Sequence, residues 1–174
     1  MRVRRSLLSA VLAASLFAIP AGTAAQDEVV QVTGGGWFLF AGTIPMQFGF
    51  SAVLHADGRA TGSFHHAYEV DGLYVRYWGR LICLSYDAAA GRAWIGGVLT
   101  KVSTNDPDAT QQPGEDAWFR VLDGGPSGDR STSMGFIPFF PSSAAYCAGR
   151  PWPADNARTH PVTSGQISLS VDAP

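Results

Sequence analysis

The chain has 174 residues, with twelve Lys and Arg against fourteen Asp and Glu. Three of the basic residues, Arg2, Arg4 and Arg5, precede residue 26, so the remainder holds nine basic and fourteen acidic residues, a net charge of −5. With Lys101 as its single lysine and no basic block, that remainder is poorly suited to nucleic acid or anionic membrane surfaces.

The first element is a leader. The three arginines precede an apolar run from Leu7 to Ile19, broken by Pro20 and followed by Thr23, Ala24 and Ala25. That order predicts a secretory signal peptide over residues 1–25, cleaved after Ala25. An uncleaved membrane anchor is the alternative, but the apolar run is shorter than the roughly 20 residues a spanning helix needs. Arg4-Arg5 alone is a weak twin-arginine signal. Cleavage leaves residues 26–174, one domain long enough to bury a core. The expected location is secreted, either extracellular or periplasmic, and no membrane insertion is expected after cleavage.

After the leader, period-two alternation dominates. Residues 29–40 read as a strand interrupted by Gly34-Gly35-Gly36, where a bulge or sharp bend is expected. Residues 46–55, 59–70 and 73–86 read as a meander, with Asp57-Gly58 and Asp71-Gly72 supplying the positive φ angles of tight hairpins. A turn at residues 88–91 leads to a strand at 92–103. Residues 117–122, 131–137 and 166–171 complete the set, the second of these with the weakest pattern. Two stretches, about 103–116 and 138–163, read as loops, the latter holding five of the eleven prolines. Seven or eight antiparallel strands must hide one apolar face. The predicted fold is all-β, a single antiparallel barrel, with a β-sandwich as the alternative.

The two cysteines, Cys83 and Cys147, both lie in the exported part, which predicts one disulfide. Its loop of 64 residues would contribute about 4 kcal/mol on the chain-entropy model. Buried free thiols are the alternative. Neither cysteine belongs to a Cys-x-x-Cys pair, so redox catalysis and zinc have little support. No cysteine near the cleavage site is placed to carry a lipid.

Candidate binding residues emerge from the alternation. His65 and His66 are adjacent on a strand and point to opposite faces, so they do not converge on one metal. His66 is expected inward with Phe64 and Tyr68. Arg76, Trp78 and Arg80 share a face with Tyr74, Ile82 and Leu84. If that face is the interior, these residues could grip an anionic or aromatic ligand. The opposite face (Leu73, Val75, Tyr77, Gly79, Leu81, Cys83) is more apolar, which favours the exterior for the arginines. His66, Arg76, Trp78 and Arg80 are the candidate ligand-binding residues. Residues 136–140, with Phe136, Phe139 and Phe140, are candidates to cover a barrel mouth. No Gly-x-Ser-x-Gly elbow and no phosphate-cradling loop occurs, so no catalytic residue, metal or cofactor is assigned.

Several short patterns recur together: Thr33-Gly34-Gly35-Gly36, His55-Ala56-Asp57-Gly58, Gly62-Ser63-Phe64, Cys83-Leu84, Gly91-Arg92-Ala93-Trp94-Ile95-Gly96-Gly97, Trp118-Phe119-Arg120-Val121, Asp123-Gly124-Gly125 and Gly165-Gln166-Ile167. Together they resemble a group of small exported bacterial proteins of unassigned function. The resemblance implies a shared all-β fold and assigns no activity. The expected function is a secreted, soluble, non-catalytic binding or structural module, with a small hydrophobic or aromatic molecule as its ligand. The alternatives are an enzyme of isomerase, cyclase or hydrolase type working in the barrel interior, and a small outer-membrane barrel.

Overall fold

The computed structural model describes residues 29–125, 128–136, 139–154 and 158–172. The predicted leader lies outside the described residues. Among these residues the chain forms eight strands and one short helix: β1 Val29–Phe40, β2 Ile44–Leu54, β3 Ala60–Val70, β4 Leu73–Asp87, β5 Arg92–Thr104, β6 Asp116–Leu122, β7 Arg130–Ser131, α1 Ser143–Gly149 and β8 His160–Asp172. Each strand pairs antiparallel with the next, and β8 returns to β1, so one continuous sheet closes in a ring.

The hairpin chemistry is local. Asp71 (φ 51°) and Gly72 (φ 79°) both take left-handed backbone, as a two-residue turn between β3 and β4 requires. At the β2–β3 turn Gly58 (φ 80°) donates its N–H to the His55 carbonyl at 2.8 Å. The inward face of the ring is apolar and aromatic. Phe48, Phe50, Phe64 and Phe119 fill its centre, with ring centroids 5.4 Å apart for Phe50–Phe119 and 5.7 Å for Phe64–Phe119. Gly79 makes room for them: a Cβ there would meet the Phe64 ring at 2.0 Å.

The alternation along β4 places Val75, Tyr77 and Leu81 in the core and leaves Arg76 and Arg80 exposed. A register shift between Leu81 and Cys83 then inserts one extra residue. A one-residue slip reverses the facing of the residues beyond it. Leu84, expected beside the arginines, is therefore buried in the core, and Cys83, expected with the apolar face, meets α1 instead.

Two other expectations change. The strand expected over residues 131–137 is only β7, two residues long, with an isolated bridge from Gly135 to Trp118 beyond it. Carboxylates make up for the missing ladder: Asp129 accepts the Ile167 N–H, and Asp123 accepts the Leu169 N–H at 2.9 Å. Residues 138–163, read as a loop, contain α1 and the first residues of β8. Ser142 caps α1 by accepting the Ala145 N–H at 3.1 Å, and Asp116 of β6 accepts the Ser143 N–H at 3.0 Å.

The expected disulfide is present between Cys83 and Cys147. It fastens α1 over the outer surface of β5 and β6. There Trp94, Trp118 and Tyr146 form a second buried cluster with Phe140 and Trp152 packed against it. Both faces are consequently buried over residues 93–97 of β5 and 117–121 of β6.

Candidate functional site

The four residues singled out from the sequence do not form one site. His66 is inward, with 1% of its surface exposed. Its ring lies 4.9 Å from the Phe119 ring and 6.2 Å from that of Phe48, and neither ring nitrogen has a hydrogen-bond partner among the described residues. Burial, with a smaller contribution from His65, pulls its pKa down to about 3. His66 is thus a neutral core residue at physiological pH.

Arg76 and Trp78 stand on the opposite, outer face. The Arg76 guanidinium sits 5.1 Å from the Tyr74 ring centroid, and the Lys101 ammonium 4.8 Å from that of Trp78. Both residues border an outer cleft of about 460 Å³, which Trp37, Gln47, His65 and Glu69 also line. Arg80 is outward too, opposite Ser63 in the β3–β4 register, and lies outside that cleft.

A second cavity, about 420 Å³, lies at one mouth of the ring. Phe40, Ile44, Met46, Met134 and Phe136 give it apolar walls, and Tyr68 and Tyr77 reach it from β3 and β4. The segment after β5 closes over it with Asp106, Asp108, Ala109 and Gln111. That segment is pinned by its own polar side chains. The Asn105 amide accepts the Tyr74 N–H at 2.6 Å and donates to the Gly72 carbonyl at 2.9 Å. The Thr104 hydroxyl donates to the Tyr74 carbonyl at 2.8 Å, and Asp106 accepts the Asp108 N–H at 2.9 Å.

The polar groups of the mouth converge. The Tyr77 hydroxyl donates to the Gln111 side-chain oxygen at 2.8 Å. Burial raises the pKa of both phenols, with the Asp106 carboxylate adding to the effect, so both stay protonated as donors. Among the described residues the cavity lining contains two carboxylates and no cationic side chain.

Of the residues 136–140 expected over a mouth, 137 and 138 lie outside the described residues, and among the others Phe136 is placed there, its ring 5.3 Å from that of Tyr77. Phe140 packs instead on Trp118 and Tyr146 beneath α1. Phe139 is 77% exposed. The mouth's polar residues Asp106, Asp108 and Gln111 carry no motif that marks them in the sequence. A signal for the ordering of their segment exists in Thr104 and Asp106, whose side-chain oxygens accept the Asp106 and Asp108 N–H groups in local turns.

Among the described residues no three His, Cys, Asp or Glu side chains come together to hold a metal ion. No described helix is long and apolar enough to cross a membrane. No protein-family model, no curated protein and no solved structure matches this chain.

Proposed function

We propose that this protein is an exported, water-soluble β-barrel that binds a small aromatic or amphipathic molecule, neutral or cationic, in its mouth cavity. One observation carries the reading: an apolar cavity of about 420 Å³, within the usual range for ligand sites, with two phenols, a carboxamide and two carboxylates gathered at one side. The apolar walls receive a ring or hydrocarbon body. Tyr77 and Gln111 orient a polar handle, and Asp106 and Asp108 disfavour anions.

The distribution of side chains supports solubility over insertion as an outer-membrane barrel. A lipid-embedded barrel carries an apolar outer band and a polar lumen, whereas here Arg76, Arg80 and Lys101 stand outside and Phe48, Phe50, Phe64 and Phe119 inside. The leader-like residues 1–25 and the Cys83–Cys147 bridge support export to an oxidising compartment. Kinship with small exported all-β bacterial proteins belongs to the same reading. Binding is favoured over catalysis because the Phe48 and Phe119 rings pack on His66.

The test uses N-phenyl-1-naphthylamine, a neutral aromatic fluorophore that brightens in apolar sites. The protein is expected to bind it saturably, and Ala109→Trp, which fills the mouth, should weaken the affinity at least tenfold (about 1.4 kcal/mol). Equal binding by the two proteins would refute the assignment.

A further inference from the structure

The outer cleft is separate from the mouth and calls for a different ligand. We infer that it binds a short segment of a neutral oligosaccharide, with sugar rings laid against Trp37 and Trp78.

The register builds the cleft. Across β1 to β4, Trp37 faces Gln47, Gln47 faces Ala67, and Ala67 faces Arg76. The neighbouring row runs from Gly35 through Gly49 and His65 to Trp78. The backbones of Trp37 and Trp78 thus stand three strand spacings and one row apart, about 16 Å along the sheet, with small residues and polar side chains between them. Trp37 is 44% exposed, and among the described residues no other ring or cation stacks on it. Its apolar face is available to the C–H face of a sugar, while Gln47, Glu69 and Arg76 offer planar groups to the hydroxyls.

Charge and topology narrow the class. Glu69 and Arg76 supply one charge of each sign, and burial keeps the half-buried His65 below its ordinary pKa and therefore neutral. The residues that line the cleft carry no net charge, and the neighbouring Lys101 ammonium is engaged over the Trp78 ring. An extended peptide would seek a free strand edge to pair with, and the closed ring gives β1 to β4 none.

Gly35 offers a direct handle. Its neighbours need to be glycine: a Cβ on Gly34 would meet the Phe50 ring at 2.8 Å, and Gly36 has φ 150° with Ser164 O at 1.9 Å from a Cβ. A Cβ on Gly35 would meet nothing closer than 3.4 Å. Glycine weakens a strand interior, so packing leaves this one unexplained, while its missing side chain keeps the outer face beside Trp37 clear.

Isothermal titration with maltotetraose, cellotetraose, chitotetraose and, as the acidic comparison, trigalacturonate tests the inference. At least one neutral tetrasaccharide is expected to bind. Trp37→Ala and Trp78→Ala should each weaken it about tenfold, and Gly35→Val should abolish binding while holding or raising the thermal midpoint. Ala109→Trp should leave saccharide binding intact, which separates this site from the mouth. Failure of all three neutral saccharides, preference for trigalacturonate, or binding that survives Trp37→Ala, Trp78→Ala and Gly35→Val would overturn it.

Discussion

Burial sets the chemistry of His66. Its folded pKa of about 3 lies below the ordinary 6.5, so between those values the unfolded chain takes up a proton that the folded chain refuses. The contribution of His66 to stability is therefore most favourable above about pH 6.5 and declines as the pH falls toward 3. His66→Phe removes the titrating group and two buried nitrogens that lack partners, and its ring suits the surrounding phenylalanines. Urea unfolding should show it stabilised more at pH 5 than at pH 8, by a difference of about 2 kcal/mol. An equal effect at both pH values would mean that the ring is solvated in the folded protein. The inward placement of His66 was readable from alternation with Phe64. Its isolation from Arg76 and Trp78 follows the same alternation, because each stands one residue from Tyr77, the register partner of His66, and so points to the opposite face.

At the scale of elements, α1 shows why some structure was hidden. It has seven residues, too few to hold helical form alone in water, and no apolar stripe long enough to register as a period. Its stability comes from tertiary contacts: the Ser142 cap, the Asp116 carboxylate, the bridge to Cys83, and the seating of Tyr146 on Trp118. The Trp94 indole N–H completes the seat by donating to the Pro151 carbonyl at 2.9 Å. Cys147→Ser should cost about 4 kcal/mol by loop entropy and red-shift tryptophan emission as Trp94 and Trp118 meet water. A loss below about 1 kcal/mol with unchanged emission would show that packing alone holds the helix. The start of β8 was obscured for a different reason. Pro161 suggested a loop, yet it sits near the strand start opposite Arg130, where the ladder is only two residues long.

For the whole molecule, the meander of β2 to β4 was legible because the Asp57-Gly58 and Asp71-Gly72 turns agree with the alternation, and the turn at residues 88–91 carried it on to β5. Ring closure is a long-range property: it depends on β8 returning to β1, a pairing no local pattern announces. The mouth site was harder still, since it joins residues from β1, β2, β3, β4 and the two segments after β5 and β7. The same geometry supplies a direct probe. The chain has three methionines; Met1 belongs to the predicted leader, and Met46 and Met134 both line the mouth. In the mature protein labelled with carbon-13 at the methionine methyls, two signals report on this cavity alone. Adding N-phenyl-1-naphthylamine should shift both in a saturable way, with the same midpoint as the fluorescence titration. Saturable fluorescence with both methyl signals unmoved would place the ligand elsewhere and contradict the account.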